Sequence, residues 1–307
     1  LQLTPAKAAA CEQPSIVNAF TSGQDIPESV TTDHAGNLYV SNGGTILRRP
    51  PGGSFTEFAT LPLPIFALGL KVGPDECVYN ASTSLSSVAG AFVWRICAAD
   101  DVETFATLDP AGGPNDVAFD DDGNVFVTDP VLGRIWKIDP AGDPEVFVDD
   151  PLLEGDPTNP ALLFRALGAN GIALDVEDHH LYVSNTDQGT IVRIGLGSDS
   201  RTPSVFARDP LLRGADGIAF DRSGTLFVAV NATDTLVTVD RHARVKVFDQ
   251  GAPLDAPSSI VFGATTRDRH EMYVMSSAFS RTLGLQSGTP APALLAYPAS
   301  TPGLPLP

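Results

Sequence analysis

Short apolar runs, separated by turn-forming residues, recur in a fixed register along the chain. Aligning Glu28-Ser29-Val30, Leu68-Gly69-Leu70, Asn115-Asp116-Val117, Asn170-Gly171-Ile172, Asp216-Gly217-Ile218 and Ser258-Ser259-Ile260 brings six of them into phase. Each is followed by a turn former, at Asp33, Gly73, Asp120, Asp175, Asp221 and Gly263, and Asp33, Asp120 and Asp221 open Asp-x-x-Gly turns. A second run then follows in every case: Leu38-Tyr39-Val40, Cys77-Val78-Tyr79, Val125-Phe126-Val127, Leu181-Tyr182-Val183, Leu226-Phe227-Val228 and Met272-Tyr273-Val274. β-Branched and aromatic residues in runs of this length predict strands.

Third and fourth strands complete most units, as in Arg134 to Ile138 with Glu145 to Val148, or Thr190 to Ile194 with Ser204 to Ala207. The starts lie 40, 47, 55, 46 and 42 residues apart, close to the period of about 40 to 50 residues of four-stranded propeller blades. The predicted fold is therefore all-β, a six-bladed β-propeller formed as a single domain over residues 1–307, with 1–14 an N-terminal extension and 299–307 a Pro-rich tail. The last unit shows strands at Ser258 to Phe262, Met272 to Met275 and Leu294 to Tyr297 but no fourth. Ser15 to Phe20 resembles the outer strands, so the N-terminal strand is expected to join the C-terminal blade and close the ring, which removes an open sheet edge.

Composition narrows the partners. With 37 acidic against 19 basic residues, the net charge of -18 disfavours nucleic acid and anionic membrane surfaces, and no apolar run reaches the length of about 18 residues needed to span a bilayer. A small-molecule partner and a monomeric chain are expected. The chain starts at Leu1, which fits removal of a secretion signal. Asn80-Ala81-Ser82 and Asn231-Ala232-Thr233 are sequons, making Asn80 and Asn231 candidate glycosylation sites in a secreted chain. Cys77 and Cys97 fall on neighbouring strands of one unit, where a disulfide or two buried thiols are both possible, and Cys11 is left over.

Candidate chemistry comes from the six aligned first positions. The innermost strand of every blade starts at the same face, so Glu28, Leu68, Asn115, Asn170, Asp216 and Ser258 gather at one tunnel mouth. Five of them carry side-chain oxygen, including two carboxylates and two carboxamides. Strand propensity does not call for Asn or Asp there, although either residue at a single position is common as a turn former. Two carboxylates in a confined tunnel repel one another and lose hydration; a cation relieves both penalties. Hard oxygen donors favour Ca²⁺, with another divalent cation as the alternative.

The ordered set Glu28, Asn115, Asn170 and Asp216 on successive inner strands resembles the SMP-30/gluconolactonase/LRE-like family. Asn170-Gly171-Ile172 before Leu181-Tyr182-Val183 and Asp216-Gly217-Ile218 before Leu226 to Ala229 are especially similar to its patterns; Ser29 and Val30 depart from the Gly and Pro often found after the first Glu. The resemblance covers essentially the whole chain. It implies a catalytic divalent cation held by Glu28, Asn170 and Asp216, with Asn115 as a further metal or substrate contact. It also implies Asp216 as general base of a hydrolase acting on lactones or related esters.

Loops following the second strands return to the same mouth and carry Asn42, Asp129, Asn185, Asp187 and Asn231, which join Ser258 and Leu68 as candidate substrate contacts. The leucines of Asp150 to Gly155, Pro160 to Phe164 and Asp209 to Gly214 either pack onto the blade tops or form an apolar lip that favours a hydrophobic ligand. His34, His179, His180, His242 and His270 are placed in turns on the opposite face, and no Gly-x-Ser-x-Gly elbow or phosphate-binding glycine loop occurs. Two other readings stay open: a secreted natural-product cyclase or dehydratase using the same pocket, and a binding propeller with structural calcium.

Overall fold

The computed structural model describes residues 13–307 apart from 22, 24, 63, 64, 85–89, 100, 163, 164, 176 and 178. Its strands form six antiparallel sheets of four, the blades of a six-bladed β-propeller. Each blade begins on an inner strand: Pro27–Thr32, Phe66–Val72, Val117–Phe119, Ala169–Leu174, Ala215–Phe220 and Pro257–Phe262. In the last blade the outer strand is Ser15–Ala19, paired antiparallel with Ala293–Pro298. The ring is thus closed by the two ends of the chain, as the sequence predicts.

Apolar cores lie between the blades. An aromatic side chain on a second strand sits edge-on both to the outer strand of its own blade and to the inner strand of the next. Tyr79 meets Phe105 at 5.1 Å and Phe119 at 4.9 Å; Tyr182 meets Phe206 at 5.1 Å and Phe220 at 5.0 Å; Phe227 meets Phe248 and Phe262 at 5.4 and 5.5 Å. These contacts are the favoured geometry of aromatic pairs, and they fix how far each blade rotates against its neighbour. The Asp-x-x-Gly turns close as expected: Gly36, Gly123 and Gly224 donate their amides back to Asp33, Asp120 and Asp221 at 3.0 Å, with φ of 81°, 80° and 80°, conformations suited to glycine. Cys77 and Cys97 form a disulfide, with Cα atoms 4.2 Å apart.

At the axis the inner strands crowd. The amide of Gly69 donates to the carbonyl of Asn115 in the next blade at 2.6 Å. A Cβ at Gly69, Gly171 or Gly217 would lie 2.3, 2.3 and 2.4 Å from the carbonyl oxygens of Asn115, Asp216 and Ser258 respectively. Glycine in these three triplets is therefore a requirement of ring closure. The replacement Gly171→Ala is expected to destabilise the protein by about 2 kcal/mol or more, whereas Gly44→Ala, whose nearest neighbour would be 3.5 Å away, should have a much smaller effect; equal urea midpoints for the two variants would contradict this account.

Candidate active site

Each ring residue owes its position to a break in the ladder. Pairing between first and second strands shifts register between Pro27 and Val30, Ala67 and Leu70, Ala169 and Ile172, Ala215 and Ile218, and Pro257 and Ser259. Glu28, Leu68, Asn170, Asp216 and Ser258 lie inside those irregularities, and Asn115 just precedes the inner strand of its blade. A bulge frees a residue from the pleat and re-aims its side chain.

The freed backbone groups find partners on neighbouring side chains. The hydroxyls of Ser41, Thr128 and Ser184 accept from the amides of Ser29, Asp116 and Gly171 at 2.9, 3.0 and 2.8 Å. Ser184 Oγ also donates to the Asp216 carbonyl at 2.7 Å, and Thr128 Oγ1 donates to that of Asn170. Ser258 Oγ donates to the Glu28 carbonyl at 2.5 Å. Its hydroxyl is thereby committed to holding the ring backbone, so its predicted role toward substrate gives way to a positioning one. Leu68 supplies a carbonyl to Asn80 Nδ2 at 3.4 Å.

Glu28, Asn115 and Asp216 line one small cavity at the mouth, together with Ser29, Gly69, Asp116, Gly217, Ser258 and Ser259. Its free volume of about 10 Å³ suits a single water molecule or ion. Two oxygens of the predicted ligand set, Glu28 Oε2 and Asn170 Oδ1, are buried without a hydrogen-bond partner. Asn170 Nδ2 donates to Thr186 Oγ1 at 2.9 Å, which turns its oxygen away from that contact. Buried oxygens normally find donors, so the orphaned Glu28 Oε2 at this acidic cavity fits a bound cation, whereas Asn170 is not among the residues that line it. The acids do not close into a tight cage: among the described residues the only set of three or more His, Cys, Asp or Glu ligand atoms within 4.8 Å of one another is at Asp75, Cys77 and Cys97, whose sulfurs are in the disulfide.

Sequence reasoning missed two charged groups. Asp116 follows Asn115 and reaches the tunnel, where its Oδ1 accepts from Val117 N at 2.9 Å and its Oδ2 from Ile172 N at 3.1 Å. Lys71 lies deeper, on the inner strand of the second blade. The alignment held a signal for both. Among the twelve residues one and three places after the ring positions, Asp116 and Lys71 are the only charged ones.

Burial drives the Glu28 carboxyl well above the usual range, and the charges of Asp216 and Asp116 push it further. Asp216 is raised by burial first and by Asp116 second, opposed by hydrogen bonds from Asn231 and Gly217. Burial likewise raises Asp116, opposed first by its bond from Ile172 and then by the charge of Lys71.

Of the candidate substrate contacts in the loops, only Asn231 reaches the ring. Its Nδ2 donates to Asp216 Oδ2 at 3.4 Å, and its Oδ1 accepts from Ser280 Oγ at 3.3 Å. The others are loop clamps. Asn42 accepts from Ile26 N and donates to Asp25, at 2.7 and 2.8 Å. Asp129 accepts from the amides of Gly113, Val131 and Leu132 and from Trp136 Nε1. Asn185 donates to the carbonyls of Leu152 and Glu154, and Asp187 accepts from Asp156, Ala161 and Leu167 amides. Their polar atoms are bonded mostly to backbone and hold the loops in place.

Glycosylation at Asn80 and Asn231 is corrected on the same ground. Asn80 is fully buried with its nitrogen bonded to Gly69 O at 2.9 Å, and Asn231 is buried against Asp216, so neither nitrogen can carry a glycan in this fold. Most lip leucines pack inward: Leu153 and Leu212 are fully buried and Leu162 is buried, while Leu211 is exposed. Leu163 and Phe164 lie outside the described residues, as does Cys11. A cavity of about 300 Å³ is at the other end of the tunnel, where Leu304 to Pro307 form one wall beside Lys71, Phe119, Phe220 and Phe262.

A six-bladed propeller with an oxygen-lined acidic hub at one mouth defines the class. The chain belongs to the SMP-30/gluconolactonase/LRE-like family, whose sequence pattern matches residues 85–278. No curated protein sequence matches it. Among solved structures it resembles a gluconolactonase from Xanthomonas campestris, with 17% identity, 97% of this chain and 99% of that chain covered and a TM-score of 0.65. It also resembles the calcium-binding protein regucalcin from Agrobacterium tumefaciens, with 16% identity, 95% and 97% coverage and a TM-score of 0.66. A third similar structure is virginiamycin B lyase from Staphylococcus aureus, at 16% identity, 94% and 89% coverage and a TM-score of 0.61. At these identities the likeness to solved structures is one of fold.

The raised carboxyls set the sign of a pH effect. A group with a folded value above its unfolded value of about 4 holds its proton more tightly when folded, so cation-free protein loses stability as pH climbs from there toward the raised value. A bound cation favours the ionised carboxylates and reverses that loss. Excess Ca²⁺ should therefore raise the melting temperature more at about pH 8 than at about pH 5; at a hundredfold excess over Kd the gain is about 2.7 kcal/mol, or roughly 5 °C. Calorimetry showing no gain, or a larger one at the lower pH, contradicts the assignment.

Proposed function

We propose that the chain is a divalent-cation-dependent hydrolase of lactones or related esters, acting on a small, partly apolar molecule at the acidic tunnel mouth. The observation that carries this reading is the buried, partnerless Glu28 Oε2, in the small cavity that Glu28 lines together with Asp216. Glu28, Asn170 and Asp216 would hold Ca²⁺, or another hard divalent cation. When bound, the ion polarises the acyl oxygen and favours attack by water.

Asp216 takes the proton from the attacking water. Burial and the charge of Asp116 raise its proton affinity, opposing the lowering that a bound cation would bring, and the bond from Asn231 Nδ2 holds Oδ2 in place. Asn115 lines the cavity, and its carboxamide makes no hydrogen bond among the described residues, so it is free to orient a substrate oxygen. Exposed Leu211 supplies apolar surface at the rim. The Cys77–Cys97 bridge supports a secreted chain, because such bonds persist in oxidising compartments.

A second reading, cyclisation or elimination without added water, is favoured by the likeness in fold to a lyase. Assay of a lactone and ester panel with Ca²⁺ separates the two. Hydrolysis is expected in the wild type, and Asp216→Asn should lower kcat by about 100-fold or more. Unchanged turnover in that variant removes Asp216 as the base. Ring-closed or dehydrated product with no uptake of labelled water replaces hydrolysis with the second reading.

A further inference from the structure

Lys71 stands alone. The inner strands carry Thr31, Ala118, Ala173, Ala219 and Val261 at the equivalent tunnel positions, so its charge is the single positive one at that level. Its ammonium makes no hydrogen bond or ion pair within 4.0 Å among the described residues, and burial lowers its proton affinity while Asp116 raises it. Asp116 closes against the same strand: its Oδ1 lies 2.9 Å from where a Cβ of Gly69 would be, and Lys71, two residues further on, lines the tunnel with Ala118, Ala173, Ala219 and Val261. Asp116 is held there by two amides, from Val117 and Ile172, and burial raises its proton affinity, opposed by those bonds and by the charge of Lys71.

With a cation bound, which favours the ionised forms, the hub would confine three carboxylates, Glu28, Asp116 and Asp216, against the one ammonium of Lys71, and two negative charges would be left for the ion to balance. We infer that Lys71 is a positioning residue of the electrostatic kind: by cancelling the charge of Asp116 through the tunnel floor, it matches the mouth to a divalent ion and keeps it from favouring a trivalent one. The inference rests on the cation reading above and deepens it. A lysine placed only to fill space would leave cation choice indifferent to its charge, whereas a neighbouring unit charge in a poorly screened tunnel acts more strongly on a trivalent ion than on a divalent one.

Titration calorimetry of the full chain with Ca²⁺ and with Tb³⁺ tests it, without recourse to catalysis. Replacement by an uncharged side chain of similar length, Lys71→Met, is expected to tighten Ca²⁺ binding about tenfold or more and to raise the preference for Tb³⁺ over Ca²⁺ by about tenfold. Lys71→Arg, which keeps the charge, should stay within about threefold of the wild type on both measures. The double variant Lys71→Met/Asp116→Asn restores the original charge and should return the Tb³⁺ preference to near its starting value. If Lys71→Met does not fold, Asp116→Asn alone provides the reciprocal test, with weaker Ca²⁺ binding and a lowered Tb³⁺ preference expected. Wild-type-like affinity and preference in the charge-altered variants overturn the role of Lys71 while leaving the cation site intact. Failure of the wild type itself to bind either ion overturns the underlying cation reading and this role with it.

Discussion

Six backbones converging on one axis leave almost no room between neighbours, and the rest of the molecule is arranged around that restriction. At Gly69, Gly171 and Gly217 the carbonyl of the adjoining blade occupies the space of a side chain. The same closeness prevents a regular ladder from running up to the mouth. The first residues of the inner strands break register, and side chains from second strands, Ser41, Thr128 and Ser184, take over the hydrogen bonds of the displaced backbone. Buried amides and carbonyls must be paired, so these hydroxyls are as much a part of the ring as the strands themselves.

That packing problem creates the chemistry. Five of the six ring residues are released by bulges, and five of the six, Asn115 included, bring side-chain oxygen to the mouth. In water Glu28 and Asp216 would repel weakly; in a hub with room for about one ion their charges are poorly screened, and burial adds to the penalty for both. Asp116 illustrates how structural and electrostatic duties coincide. It closes two loose backbone amides, and in doing so fixes a third negative charge beside the first two.

The two faces of the disc divide their duties. At the mouth, polar loop residues such as Asp129, Asn185 and Asp187 are consumed in holding loops rigid, so the reactive set is smaller than a count of polar residues suggests. On the other face lie turns carrying the histidines: His34 pairs with Glu76 at 2.6 Å and His180 with Asp175 at 2.9 Å, remote from the hub. Propellers host many activities, and here the case for hydrolysis belongs to the donor set and not to the fold.

Repetition made much of this legible in advance. Six phased triplets were enough for the blade count and for bringing Glu28, Asn115 and Asp216 to one cavity, because symmetry carries equivalent positions to one place, and the missing fourth strand of the last unit pointed to the closing strand Ser15–Ala19. What the repeat could not reveal is how individual polar atoms are spent. Asn42, Asn185 and Asn231 sit in comparable loops, yet only Asn231 meets Asp216, since loop length and path decide where an amide lands. The sequons at Asn80 and Asn231 read as acceptors in one dimension and are buried in three. Lys71 and Asp116 belong to blades two and three at different depths, and Asp116 comes against the strand of Lys71 only because Gly69 lets one backbone press against the next. Periodicity determines which residues share a level of the tunnel; the distances across it, and hence the charge each residue feels, are set by packing of the closed ring.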